Sequence, residues 1–202
     1  MIWDLGSHLT DLVDYLIGFP NEILADAEIA VSRRPDPANP GGYRDVKVED
    51  AFLVLTRGTD PVTGQSYRGV IEGTKLATGA EDELYLEIYG EKGSLRFSLM
   101  DSHYLDFYDA ARPAHPIGGE SGWLRIQTGA RYEAPHTEFP SPKSIAGWSR
   151  AHAACLANFL LAAGRGGTAD PNLFQGIRVQ KFLDRIKRSA RERRWLKTAD
   201  LL

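Results

Sequence analysis

The sequence holds a single cysteine, Cys155, so no internal disulfide can form and a chain of 202 residues must rely on an apolar core. It has no marked excess of charge: 24 basic residues stand against 27 acidic ones, a formal net charge of -3, and that balance gives no general attraction to nucleic acid or anionic lipid. No apolar run reaches the roughly 18–20 residues of a membrane-crossing helix. No cationic, hydrophobic leader is present either, and a reducing, cytoplasmic setting is expected. The five histidines, His8, His103, His115, His136 and His152, show neither HExxH nor Cys/His ligand spacing, so no metal site is expected. Repeats and low-complexity tracts are lacking as well.

What is present is a 43% hydrophobic composition, enough for one domain with a substantial core or for two small ones, one domain being the simpler reading. The opening segment, "LGSHLTDLVDYLIG", reads as an amphipathic helix in which Leu5, Leu9, Leu12, Val13 and Leu16 form the core stripe, ended by Gly18 and Pro20. A strand is expected over "NEILADAEIAV", with Ile23, Ala25, Ala27, Ile29 and Val31 on its buried face. "RRPDPANPGGYRD" reads as a surface loop or a flap over a substrate. Further strands are expected over "AFLVLTR", "YRGVIEGTKLA", "ELYLEIYG", "SLRFSL" and "HYLDFYD", with "DPVTGQ" and "GEKG" as hairpin turns. Short strands following one another without helices between them imply an antiparallel sheet.

After Gly129 the aperiodic "RYEAPHTEFPSPKS" leads into a second helix, with Trp148, His152, Cys155, Leu156, Phe159 and Ala163 on one face, laid on the sheet. On that face Cys155 reads as a small buried hydrophobe and His152 as a hydrogen-bonded core histidine. A last helix is expected to start with Asp170 as N-cap and Pro171 at its first position, burying Val179, Phe182, Leu183, Ile186 and Ala190. The fold class is therefore α+β, an open and mainly antiparallel sheet with helices packed on one face.

Two chemistries can be set aside. "GRGGTA" at Gly164–Ala169 matches a dinucleotide fingerprint in letters, but that loop works between a strand and a helix, and here a helix precedes it. The basic tail, Lys187, Arg188, Arg191, Arg193, Arg194 and Lys197, reads as a solvated helix end. The informative cluster lies at the front. Asp4, His8, Asp11 and Tyr15 form a stripe beside the core stripe, which puts a carboxylate and an imidazole one turn apart at the margin of a buried face. A carboxylate near an imidazole orients it and favours its protonation, a preparation for general acid/base work, although such residues near a helix start also serve as caps.

"DLGSHLTDLVDYLIG" resembles the D-x-G-x-H-x-x-D segment that opens the C-terminal domain of the Gfo/Idh/MocA family of NAD(P)-dependent oxidoreductases. "IEGTKLATGAEDELYLEIYGEKGSLRF" resembles that family's strands with their Y-G-x-K-G-S-L hairpin, and "GIRVQKFLDRIKRSARERRWL" its closing helix. The resemblance covers essentially the whole chain. It implies that residues 1–202 are a substrate-binding and oligomerisation domain. An N-terminal Rossmann domain would stand ahead of this point, carrying the dinucleotide loop and the Glu-Lys-Pro segment with its catalytic lysine. NAD or NADP would be bound mainly by that absent half, and the 202 residues alone would be inactive and bind the dinucleotide weakly or not at all.

Carried over by position, the resemblance makes His8 the acid/base for a substrate hydroxyl and Asp4 the neighbour that positions substrate or tunes His8. Asp11 matches with a role closer to structure, and Lys75 matches a basic residue facing the substrate. The implied reaction is hydride transfer between a nicotinamide and a secondary alcohol or ketone of a sugar, inositol or related polyol. A stand-alone dimeric binding or scaffold module is the alternative. Strand alternation points to a homo-oligomer: Leu84, Leu86 and Ile88 oppose Tyr85 and Tyr89, and Leu105 and Phe107 oppose Tyr104 and Tyr108, which gives the helix-free sheet face an interface-like, tyrosine-rich composition.

Overall fold

The computed structural model describes residues 1–129, 131, 141, 143–145 and 147–199. His136 and most of "RYEAPHTEFPSPKS" therefore lie outside the described residues. The chain divides into two compact units, Met1–Thr78 with Pro171–Leu202, and Gly79–Asp170.

The first unit contains α1 (Leu5–Ile17), β1 (Glu22–Glu28), β2 (Arg33–Pro35), β3 (Tyr43–Asp45), β4 (Ala51–Thr59) and β5 (Ser66–Thr74). A four-stranded antiparallel sheet in the order β10-β1-β4-β5 includes the short final strand β10 (Leu196–Lys197). The helix α3 (Leu173–Glu192) packs against β1 and against α1. The alternation of β4 explains the layer: Phe52, Val54 and Thr56 are buried under the helices while Leu53 and Leu55 face outward. Ile23, Ala25 and Ile71 from the neighbouring strands join Phe182, Leu183 and Ile186 of α3 in one core. Phe19 stacks flat on Phe182, centroids 4.5 Å apart. Completely burying such a side chain contributes about 1.5–3 kcal/mol.

The α1 stripe differs from expectation. Leu5 and Leu16 are exposed, whereas Gly6 and Thr10 are buried with Ile2, and Leu9 and Val13 pack beside them. The reason is a close approach: the Phe52 ring lies where a Cβ on Gly6 would meet it at 3.3 Å, so the helix docks on its glycine rather than on its leucines. Thr10 tolerates burial because its hydroxyl donates to the Gly6 carbonyl at 2.9 Å. The expected β1 stops at Glu28, leaving Ile29 exposed. The α3 start is also displaced. Asn172 is the N-cap, accepting from the Phe174 and Gln175 backbones while the Gln175 side chain reaches back, a full capping box that Asp170 and Pro171 cannot provide. Within α3, Ser189 is fully buried, accepting from Ala25 N at 3.0 Å and donating to the Arg194 carbonyl at 2.8 Å; Ala190 packs at the margin.

The proline-rich "RRPDPANPGGYRD" is not an open loop. Its ends pair as an antiparallel ribbon, Arg33 opposite Asp45, Arg34 opposite Arg44 and Pro35 opposite Tyr43. The tip is closed by Asp36 N donating to Gly42 O at 3.0 Å and Gly42 N to Asn39 O at 2.8 Å.

The second unit is an antiparallel meander of β6 (Tyr85–Tyr89), β7 (Gly93–Ser98), β8 (Tyr104–Asp109) and β9 (Trp123–Gln127), with α2 (Trp148–Gly164). Its register aligns Glu87, Arg96, Asp106 and Arg125 in one row, with Tyr85, Tyr89, Tyr104, Tyr108 and Trp123 on the same face. Leu86, Ile88, Leu95, Phe97, Leu105 and Phe107 alternate with them. The strand β9 was not anticipated, although "WLRIQ" alternates. The expected packing of α2 is corrected. Leu156 and Phe159 are each 58% exposed, and Cys155 and His152 are exposed too; His152 stacks on Trp148 instead of entering a core. The buried residue of α2 is Arg150, which donates to Gly129 O at 2.9 Å and Ser144 O at 3.1 Å.

Candidate active site

The register of β4 and β5 carries the site. Phe52 pairs with Gly73 and Ala51 with Thr74, and one step further Lys75 N donates to Asp50 O at 2.9 Å. By strand alternation Lys75 shares the side of Ile71 and Gly73, just past the core. A Cβ on Gly73 would lie 2.4 Å from the Phe52 ring and 3.0 Å from the Met1 methyl, so the start of the chain crosses the sheet end at this point. Asp4, immediately before α1, thereby meets Lys75. The ammonium Nζ donates to Asp4 Oδ2 at 2.7 Å. Asp4 makes no capping bond to its own helix. The hydrogen bond from Lys75 and its charge hold the Asp4 carboxyl below its usual range, with a smaller contribution from His8.

His8 lies one helical turn beyond Asp4 with its ring exposed. An exposed imidazole one turn from a carboxylate that an ammonium anchors can accept a proton from a hydroxyl while the other two groups hold neighbouring hydroxyls. Asp11 is half-buried and no hydrogen bond joins it to Asp4, His8 or Lys75. It acts on Asp14 instead. Burial raises the Asp14 pKa, the Arg178 guanidinium at 2.8 Å opposes that shift, and Asp11 adds to it. The Asp14–Arg178 pair clamps α1 to α3, a structural link that the sequence pattern did not single out.

Two adjacent carboxylates, also missed, brace the site from the two positions just before β4. Burial pushes the Glu49 pKa up, but the backbone N–H groups of Glu49 itself and of Ile2 outweigh it and leave the pKa lowered; the Ile2 bond is 2.9 Å. Asp50, only 4% exposed, accepts from Val31 N at 2.8 Å and from Arg34 at 3.1 Å, and these donors depress its pKa in that order against the cost of burial. Two acidic residues entering a strand offered no distinctive spacing. Only the fold brings them to the Asp4–Lys75 pair.

Among the described residues no group of three His, Cys, Asp or Glu side chains is arranged to hold a metal. Among the described residues no helix is long and apolar enough to cross a membrane. "GRGGTA" runs from the end of α2 toward α3, so no strand delivers this loop as a strand-to-helix dinucleotide turn requires. The end of an antiparallel sheet with two helices on one face thus carries an anchored carboxylate, an amine and, one helical turn on, an imidazole. The matching family model, the C-terminal α/β domain of an oxidoreductase family, covers residues 1–198, and the chain belongs to this family, Gfo/Idh/MocA.

An uncharacterised oxidoreductase of Synechocystis is 28% identical over 199 residues, 98% of this chain and 49% of that protein. Levoglucosan dehydrogenase of Pseudarthrobacter phenanthrenivorans is 22% identical over 204 residues, 96% of this chain and 50% of its own length. Among solved structures, an oxidoreductase domain protein from Kribbella flavida superposes with a TM-score of 0.80 at 28% identity, covering 96% of this chain and 49% of its own. Levoglucosan dehydrogenase in complex with NADH and L-sorbose gives 0.83 at 24% identity and the same coverage, a likeness of fold. The chain spans about half the length of the curated relatives it matches.

Proposed function

We propose that this chain is the substrate-handling half of an oxidoreductase that transfers hydride between a nicotinamide, NAD or NADP, and a secondary alcohol or ketone of a sugar, inositol or related polyol. The observation that carries the reading is the Lys75–Asp4 contact of 2.7 Å at the head of α1, with His8 one turn away. His8 takes the proton of the reacting hydroxyl, Asp4 and Lys75 orient the sugar through neighbouring hydroxyls, and Asp11 supports the helix. The nicotinamide supplies the hydride chemistry and is held mainly by residues outside this chain. The related levoglucosan dehydrogenase complexes with NADH and levoglucosan or L-sorbose support the substrate class. A cytoplasmic setting accords with the unpaired Cys155.

The reading includes assembly as a homo-oligomer through the helix-free sheet face. Exposed Leu53, Leu55 and Val70, on the first unit's sheet face away from its helices, support it, and the second unit's own sheet exposes Tyr85 and Tyr89. The test of function is oxidation of a panel of sugars, anhydrosugars and inositols by the complete protein that carries this chain, followed by nicotinamide absorbance. Reduction of NAD(P) with at least one polyol is expected. Complete inactivity across the panel, with the protein folded and dinucleotide bound, would favour a binding or scaffold module. Alone, the 202 residues should bind NADH weakly or not at all by calorimetry, because the one G-x-G stretch of the sequence, in Gly164–Ala169, follows α2 rather than a strand.

A further inference from the structure

We infer that the β2–β3 ribbon carries an oxyanion-binding site formed by Arg34 and Arg44, which takes the carboxylate or phosphate group of an acidic sugar or polyol. The inference rests on the polyol reading above and narrows its substrate class. The ribbon's register sets Arg34 directly opposite Arg44, so both side chains rise from one face with Cβ atoms about 5 Å apart. Like charges in that position repel, and a bound anion removes the repulsion. The opposite face needs no such partner, since Arg33 and Asp45, also cross-strand neighbours, pair with each other at 3.6 Å.

Asp50 offsets only half of the Arg34/Arg44 charge. Its Oδ1 accepts from Arg34 at 3.1 Å and its Oδ2 is taken by Val31 N at 2.8 Å, so the buried carboxylate fixes Arg34 without reaching Arg44. No acidic partner engages Arg44 among the described residues, and its side chain is exposed. One guanidinium is thus anchored and the other free to close on a ligand. Two planar forks rising from directly opposed strand positions suit the two or three oxygens of a carboxylate or phosphate.

The ribbon is also held in place. Val46 N donates to Ser32 O at 2.8 Å at its base, and the tip is closed by its own backbone bonds. Asp50 ties it to the active site, because the residue whose side chain grips Arg34 accepts the backbone N–H of Lys75 at 2.9 Å. An acidic sugar could therefore present its hydroxyls to Asp4, His8 and Lys75 and its charged end to the ribbon.

The experiment titrates the 202-residue chain with inorganic phosphate, D-gluconate and uncharged D-glucitol, reading calorimetric affinity and the arginine side-chain N–H resonances. Phosphate and gluconate separate the phosphoryl and carboxylate forms of the ligand. At least one should bind and move the Arg44 resonance while glucitol does not. Arg44→Gln should weaken that binding at least tenfold, with Arg44→Lys intermediate, because lysine keeps the charge without the fork. Circular dichroism should match the unsubstituted chain in both variants.

Absence of binding by both oxyanions overturns the inference, as does unchanged affinity in Arg44→Gln. Loss of self-association in Arg44→Gln without probe binding would assign the pair to carboxylates of a second copy and also overturn it. Failure here alongside turnover of neutral polyols by the complete protein leaves the oxidoreductase reading standing. Oxyanion binding with no hydride transfer to any polyol does the reverse.

Discussion

Lys75 and Asp4, 71 positions apart in sequence, meet at 2.7 Å because the β4–β5 register ends where the chain enters α1. Both side chains are about half exposed, at 46% and 59%, so water screens the pair and its contribution to stability is small. Its consequence is positional. In the complete protein Asp4→Asn and Lys75→Met should each shift the melting temperature by less than about 3 °C. Turnover should fall about tenfold or more, as expected when a reacting group loses its alignment. Melting curves and steady-state rates on the same preparations check this, and unfolding with unchanged turnover would contradict it.

Ser189 is a different kind of polar residue. Its hydroxyl lies at the centre of the core and provides the acceptor for Ala25 N. Ser189→Ala should cost about 1–3 kcal/mol by denaturant titration, because a buried N–H is left unsatisfied. A change below about 0.5 kcal/mol would mean that β1 finds another acceptor.

Acid should loosen the first unit through Asp50. Its folded pKa is depressed below the ordinary 3.8, chiefly by Val31 N–H and then by Arg34. The resulting stabilisation is complete above the unfolded value and is lost as pH falls through the folded one. Asp50→Asn should therefore be less stable than wild type at neutral pH and lose less stability below about pH 4. Asp14 acts in the opposite sense: its raised pKa weakens the fold as pH rises from the unfolded value through the folded one. Urea midpoints measured across this range give both slopes, and parallel profiles for wild type and Asp50→Asn would contradict the assignment.

Local periodicity made most of the architecture legible. The alternation in "AFLVLTR" and the apolar spacing of Val179, Phe182, Leu183 and Ile186 are direct records of burial, and they hold. The α1 stripe was misplaced because a glycine contact, not side-chain hydropathy, decided the docking face. In α2 the apolar pattern is real, but among the described residues its face remains exposed, and a pattern does not say what covers it. Asp4 and His8 were legible as neighbours on one helix and Lys75 only through resemblance. Glu49, Asp50 and Asp14 act through long-range contacts that leave no local spacing to read.

If the helix-free face is an interface, light scattering should give about twice 22.4 kDa. Tyr85 is exposed and donates to Glu87 at 2.8 Å, and Tyr108 bonds Ser121 and packs near Trp123, so both can serve a solvated face as well. Replacing Tyr85 and Tyr108 with Glu should shift the mass toward the monomer. A monomer at high micromolar concentration in the unsubstituted chain would refute the interface.

The most direct measurement is the kcat of His8→Ala in the complete protein, with the polyol that turns over best and with folding checked by circular dichroism. Loss of a general acid/base should lower kcat by about 10²- to 10⁴-fold while the fold persists, since the His8 ring is exposed. A rate within about threefold of wild type would contradict proton transfer by His8 and leave the histidine as a surface residue of α1.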